Sequence, residues 1–410
     1  MSNVTATIDF WVKILYFYQY FSTSEGAWGT RVYEFAKRWV AQGHEVTVVS
    51  SVYAKSDLKA RGLVSDQEVE GIRLKVISVL IDNRQSVFRR IWTFLQYAVI
   101  SSWYALTLKT DVVIASSGPI TVGIPGLVAR WLRGRTLVFE ARDLWPEGAV
   151  KMELLKNPFI IRLAYLFERW CYQSANVILG LSPGIQRNIQ SRFPSSRVES
   201  VTNAANLELF TTRLLPPPDL EAGTYAIYFG NIGEVNHSDY LLDAAALLMK
   251  RGRNDITFLM IGEGQRKALL KERVQHEGLR HVVFLDLMPK SKLVAYIQHA
   301  LVSVIPLKPL PVFDTSSPNK LFESMAGGVP VIQTTQGWIK DFIAEHQVGF
   351  TVDGNNPETL AEQLIVLRDN AQLGKEMGNR GREIAKRFFD KDILADKMLG
   401  ILELAVARKK

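Results

Sequence analysis

The stretch SSPNKLFESMAGGVPVI, residues 316–332, carries an anion site in its residue order. Ser317 is a favourable helix N-cap, and Pro318 suits the first helical position, where its missing N–H costs nothing. The spacing therefore predicts a helix that opens here with unpaired amides, an end that attracts an anion. Ser317, Asn319 and Lys320 stand at that end. Leu321, Phe322 and Met325 are placed to pack inward, and Gly327-Gly328 stops the helix before an apolar strand over 329–332. A lysine beside a helix start reads a phosphate, and Glu323, three residues on along the same face, accepts hydroxyl hydrogens. Together they describe a pocket for a nucleotide-linked sugar. The alternative is an exposed Lys320–Glu323 ion pair on an ordinary βα unit.

The rest of the chain supplies the frame for such a pocket. Its 410 residues exceed one comfortable core and predict two domains, and 47% apolar residues can fill both. The single cysteine, Cys171, excludes an internal disulfide framework and reads as a buried helix residue. Six scattered histidines form no metal cluster, and no cofactor is expected. Residues 1–9 read as a ragged start without the basic and apolar segments of a signal peptide.

Net charge is +8, with 25 basic against 17 acidic residues over 1–215 and 24 against 24 over 216–410. The excess therefore lies in the first half. No basic-aromatic nucleic-acid motif accompanies it, so nucleic acid is not expected, and an anionic membrane surface is the better partner. Arg89-Arg90 precede eighteen uncharged residues, 91–108, containing Trp92 and Trp103. This tract reads as a buried amphipathic helix or as a helix dipping into a membrane interface; polar residues dilute it too much for a span.

Strands and helices alternate throughout. Residues 12–17, the turn 24–29 with Gly26 and Gly29, a helix over 30–42 and a strand over 46–50 make a Rossmann-like opening. A strand over 136–140 runs into Arg142-Asp143-Leu144-Trp145-Pro146-Glu147. Functional residues gather at strand C-termini in such sheets, so Arg142, Asp143 and Glu147 are the acceptor-side candidates. Asp143 either orients or deprotonates an acceptor hydroxyl, or pairs with Arg142; Glu147 either joins it or caps the next helix. The triple proline 216–218 is a stiff connector. Beyond it, a strand over 225–229 leads to Gly233, and a strand over 256–261 ends in Gly262-Glu263-Gly264, whose turn would let backbone approach a phosphate beside Arg266 and Lys267. A long helical tract over 357–407 closes the chain.

The 316–332 string resembles the donor-site segment of family 4 retaining glycosyltransferases, and most closely their bacterial surface-polysaccharide subgroup. Glu323 matches the second glutamate of that family's signature, which holds the ribose; the first falls on Thr315, with Asp314 beside it. Arg142-Asp143-Leu144-Trp145-Pro146-Glu147 resembles the same subgroup, with Arg142 where many members carry a histidine. The turn ending at Gly29, followed by Arg31, resembles the loop facing the donor phosphates, and Leu287-Met288 the loop whose backbone reads the base. Asn203-Ala204-Ala205-Asn206 resembles the interdomain segment.

The resemblance implies an α/β protein of two Rossmann-like domains facing across a cleft, the GT-B fold. The expected division is an acceptor-side domain over 1–205, a donor domain over 206–385, and a C-terminal helix over 386–410 that recrosses to the first. It also implies a hexosyltransferase-type enzyme that takes a nucleotide-sugar donor, a UDP-sugar, and a polyprenyl-linked saccharide acceptor. The expected location is the cytoplasmic face of the plasma membrane, as a peripheral protein. Asp143, Lys320 and Glu323 are the expected catalytic residues. A sugar-nucleotide 2-epimerase of the same fold and a non-catalytic nucleotide-sugar-binding protein are the alternatives.

Overall fold

The computed structural model describes residues 11–26, 30–82 and 85–409. The first sheet contains β1 (Lys13–Phe17), β2 (Glu45–Tyr53), β3 (Val64–Val69), β4 (Ile72–Ile81), β5 (Val112–Ser116), β6 (Thr136–Ala141), β7 (Val177–Gly180) and β8 (Val198–Ser200). Its spatial order is β3-β4-β2-β1-β5-β6-β7-β8. Only β3 and β4 pair antiparallel, joined by the two-residue turn Glu70-Gly71 with φ of 50° and 79°, the left-handed pair a tight hairpin requires. β5 and β6 are buried at every position because helices cover both faces of the sheet. These helices are α1 (Arg31–Ala41), α2 (Val87–Thr107), α3 (Gly123–Arg133), α4 (Glu147–Lys151), α5 (Pro158–Ser174) and α6 (Pro183–Arg192).

A six-stranded, all-parallel second sheet follows. Its elements in chain order are β9 (Tyr225–Asn231), α7 (Ser238–Lys250), β10 (Thr257–Glu263), α8 (Lys267–Glu277), β11 (Val282–Leu285), α9 (Lys290–Gln298), β12 (Val302–Ile305), α10 (Asn319–Gly327), β13 (Val331–Gln333), α11 (Trp338–His346) and β14 (Gly349–Thr351). The strands lie in the order β11-β10-β9-β12-β13-β14. The order reverses beside β9 here and beside β1 in the first sheet. In doubly wound sheets such switch points open a crevice at the strand C-termini.

The tract over 357–407 is three helices rather than one: α12 (Pro357–Asp369), α13 (Ala371–Phe388) and α14 (Lys391–Ala407). Asn370 breaks the first junction and caps α13, its side chain accepting from Leu373 N at 3.1 Å. At the second, Ala205 N donates to Phe389 O at 2.9 Å and Lys391 N donates to Ala205 O at 3.0 Å. The chain thereby returns to the first sheet, where α14 packs on α1. Trp39 Nε1 donates to Ala395 O at 2.9 Å, and Arg38 holds Asp396 through two bonds of 3.1 and 3.0 Å.

The uncharged tract forms most of α2, which answers neither expectation fully. One face buries Tyr97, Ala98, Ser101 and Ala105, while Phe88, Trp92, Val99 and Trp103 on the other are 57–82% exposed. Among the described residues no helix is long and apolar enough to cross a membrane.

Candidate active site

A cavity of about 270 Å³ collects strand C-termini from both sheets. Gly230 and Asn231 reach it from the end of β9, Leu287 and Met288 from the loop after β11, and Pro318, Asn319, Lys320 and Glu323 from the start of α10. Lys55, after β2, and Arg142, after β6, line it from the first sheet. Three larger clefts, of about 550, 440 and 400 Å³, draw their walls from the second sheet and its surroundings alone. Of these four, the 270 Å³ cavity is the one whose walls, among the described residues, come from both sheets at the ends where α/β sheets place ligands.

α10 begins at Asn319, with Pro318 in the cap position and no side-chain cap. Ser317 is therefore not the N-cap that its type predicts. Its hydroxyl is buried without a hydrogen-bond partner, while its carbonyl accepts from Asn203 Nδ2 at 2.6 Å, a tie between the two halves. A second tie runs from the Ser182 hydroxyl to Thr315 O. These contacts fix the loop that aims α10 at the cavity.

Lys320 is only 9% exposed, and its ammonium lies 4.0 Å from the Tyr228 ring centroid. Burial lowers its pKa to about 7, against a smaller opposing pull from Glu323. A diphosphate entering the cavity would restore the charge, so this lysine is poised for an anion. Glu323 is 7% exposed and does not pair with Lys320; its Oε1 accepts from Lys290 Nζ at 2.6 Å. The open ion pair considered from sequence is thus replaced by a half-buried pair with a different lysine. Sequence reading passed over Lys290 and Lys55. The signal for Lys290 was a cation opening α9 directly after the Leu287-Met288 loop; for Lys55 it was a cation two residues beyond a parallel strand.

The first-sheet side is built on Glu140, the penultimate residue of β6. Its carboxylate is fully buried and accepts from Tyr16 Oη at 2.9 Å, Ser116 Oγ at 2.5 Å, and Arg31 Nε and Nη2 at 3.2 and 3.1 Å. Burial alone would raise its pKa, but Arg31 and Arg142, with the two hydroxyls, hold it below the usual carboxylate range. Arg31 also donates to Val201 O at 3.0 Å and to Thr202 O. Its guanidinium is committed to this network. Arg142 stands 3.9 Å from Glu140 and lies over the Tyr18 ring, and its Nη1 is buried without a hydrogen-bond partner. The structure therefore places Arg142 in the wall of the two-sheet cavity. Asp143 and Glu147 lie outside the residues lining that cavity. Asp143 is exposed two residues beyond the end of β6, and desolvation raises its pKa against the pull of Arg142. Glu147 stands in the first turn of α4.

Several predicted phosphate contacts serve packing instead. Gly262, with φ of 151°, lets β10 pass Gly230 O, which a Cβ would meet at 1.8 Å; a Cβ on Gly264 would meet Ile232 O at 2.1 Å. Gly233 sits against the Asn231 side chain. None of the three lines the cavity. Lys267 is held by Glu263 at 2.6 Å and Asp286 at 2.7 Å, so its charge is balanced within the second sheet's own loops. Gly26 lies in a turn stapled by Asp57, which accepts from Thr23 N at 2.9 Å and Thr23 Oγ1 at 2.7 Å. Gly29 falls outside the described residues.

Comparison with known proteins agrees with this architecture. Residues 26–204 match the glycosyl transferase 4-like domain, and residues 223–370 match glycosyl transferases group 1. An uncharacterized glycosyltransferase of Methanocaldococcus jannaschii is 23% identical over 235 residues, which is 57% of this chain and 61% of that protein. The chain thus spans less than two thirds of that relative's length. Among solved structures, sucrose-phosphate synthase from Thermosynechococcus elongatus superposes with a TM-score of 0.75 at 16% identity, covering 97% of this chain and 100% of that one. Anabaena HepE in complex with UDP and glucose gives 0.67 at 16% identity, covering 95% and 99%. The chain therefore belongs to the two-domain glycosyltransferases of the GT-B fold, with a glycosyl transferase 4-like half joined to a group 1 half.

Proposed function

We propose that the protein is a retaining glycosyltransferase that moves a sugar from a UDP-sugar to a polyprenyl-linked saccharide in surface-polysaccharide or O-antigen biosynthesis. The observation that carries this reading is Lys320, a buried amine at the start of α10, facing Lys55 and Arg142 in a cavity built from both sheets. Negative charge grows on the departing diphosphate, and fixed cations with the helix N-terminus stabilise it without reorganising. Glu323 holds the ribose, the Leu287-Met288 loop faces the base, and Asp143 orients the acceptor hydroxyl. The acceptor domain is taken as residues 1–205, the donor domain as 206–385 and the recrossing helix as 386–410. The test is thermal stabilisation by a panel of UDP-, GDP- and dTDP-sugars, followed by transfer to a polyprenyl-diphosphate saccharide. Release of an epimerised sugar without acceptor would mark a 2-epimerase, and binding without turnover a non-catalytic protein.

Glu323→Gln should raise the apparent donor KM roughly tenfold, because an amide is the poorer acceptor for ribose hydroxyls and no longer neutralises Lys290. Movement of the acceptor constant alone would remove Glu323 from the donor site.

Membrane docking is the second part of the reading, and the outer helices support it. α3 packs between α2 and α5. The three expose Phe88, Trp92, Trp103, Trp131, Phe159 and Trp170, each 45–82% accessible, with Arg89, Arg133 and Arg162 also exposed. Tryptophan among basic residues suits an anionic lipid interface, which would place the protein peripherally on the cytoplasmic face of the plasma membrane. Phosphatidylglycerol vesicles should retain the protein, with part released at about 1 M salt as screening removes the charge contribution. Arg89→Glu with Arg133→Glu should lose the salt-sensitive fraction, and Trp92→Ser with Trp103→Ser the salt-resistant one. Equal partition of all three proteins would disconnect this face from membranes.

A further inference from the structure

We propose that the second sheet carries a separate site for the phosphate group of a small soluble ligand, at the edge opposite the donor cavity. The site is the cleft of about 440 Å³ where strand N-termini meet α12 and α13. Gly223, Leu301 and Pro330, just ahead of β9, β12 and β13, form its floor. Arg213, Arg368, Lys375 and Arg382 line it, and no carboxylate does.

Two of its buried nitrogens have no partner. Arg382 donates from Nη2 to Gly327 O at 3.0 Å, closing the end of α10, but its Nε is buried with no acceptor. His299 is 7% exposed; its Nε2 contacts Leu214 O at 2.8 Å, and its Nδ1 has no partner. Because a carbonyl can only accept, Nε2 carries the hydrogen and Nδ1 presents a lone pair when the ring is neutral. A phosphate monoanion carries what each orphan lacks, a P–OH that can donate to His299 Nδ1 and oxygens that can accept from Arg382. Arg213 and Lys375 are exposed at the rim and supply further charge. Arg368 is the least available of the four, since its Nε already donates to Asp255 at 3.1 Å and its Nη1 to Gly223 O at 3.3 Å. Buried polar groups in folded chains are nearly always paired, so two orphans sharing one cationic cleft point to a ligand.

The cleft also underlies the connector between the sheets. Gln298 holds that connector through Leu214 N and Thr212 O, each at 2.9 Å. An occupant would therefore touch the connector at Arg213 and, through Arg382, the far end of the helix whose first turn lines the donor cavity.

The experiment titrates inorganic phosphate at constant ionic strength into the full chain, labelled with 15N-histidine and saturated with UDP. His299→Asn identifies the His299 resonance. A saturable shift of that resonance is expected, with affinity weakened at least roughly tenfold in Arg213→Glu, Lys375→Glu. Both substitutions are at exposed positions, and an unchanged phosphate-free spectrum confirms folding. Lys320→Ala should bind phosphate here as wild type does, which separates this site from the donor cavity. Four outcomes overturn the proposal: no saturable shift, the same shift with chloride alone, undiminished affinity in the double variant, or a shift produced only by phosphatidylglycerol vesicles.

Discussion

Lys320→Ala is expected to lower transfer from the nucleotide-sugar by roughly ten- to a hundredfold, the loss that follows from one charge-assisted contact to a developing diphosphate charge. Folding should be unaffected. In the unliganded protein the amine is buried over Tyr228 with its pKa lowered from 10.5 to about 7, so holding it there opposes folding wherever the unfolded lysine is charged. The sign follows directly. A lysine whose folded pKa is depressed weakens stability below its unfolded pKa, and this cost fades as pH rises from about 7 towards 10.5. Lys320→Met, which keeps the bulk, should therefore be at least as stable as wild type at pH 8. Donor binding runs the opposite way. Only the protonated amine attracts phosphate, so binding near pH 8 takes up a proton and affinity falls as pH rises above about 7. Calorimetry in buffers of different ionisation enthalpy reads that uptake, and the Lys320→Ala variant should lack it. Unchanged kinetics and unchanged proton uptake in a folded variant would remove Lys320 from the phosphate site.

α10 could be read from sequence because its signals are local: a proline before the first turn, an inward apolar face, and a glycine pair at the end. Gly328 has φ of 71°, a conformation glycine adopts freely, so that stop signal meant what it said. The partners of these residues were not legible, because pairing is decided by the fold. Glu323 and Lys290 lie 33 residues apart, and Arg31 and Glu140 lie 109 apart. Lys267 showed the converse error. It has the expected position after a glycine turn, yet Asp286, from the loop after β11, claims its charge. Gly262 and Gly264 misled for a related reason. A glycine that admits a phosphate and one that admits a neighbouring strand look alike in sequence, and here both face backbone carbonyls. Family resemblance supplied what periodicity could not, namely that two Rossmann-like halves face one another.

Glu140→Gln should be the most damaging single change in the first sheet, costing about 3–5 kcal/mol, because it leaves a buried cation without its counter-charge. Glutamine can still accept from Tyr16 and Ser116, so the loss isolates the charge rather than the shape. Arg31 is the partner that suffers. Burial lowers its pKa, Glu140 is the main opposing influence, and its side-chain exposure is 5%. Because the folded pKa of Glu140 is depressed, its contribution is complete above the ordinary carboxylate range and is lost as pH falls through the folded value. The gap between wild type and Glu140→Gln should accordingly be widest near neutrality and close in acid. A double-mutant cycle with Arg31→Met measures the coupling, expected to exceed about 1 kcal/mol for residues in one buried network. The same change should also reach the donor cavity. Arg142 stands 3.9 Å from Glu140 and owes part of its placement to that charge, so donor affinity should fall alongside stability. Matching urea midpoints for wild type and Glu140→Gln at pH 7 would show that the network is not what holds β6, α1 and the chain at residues 201–202 together.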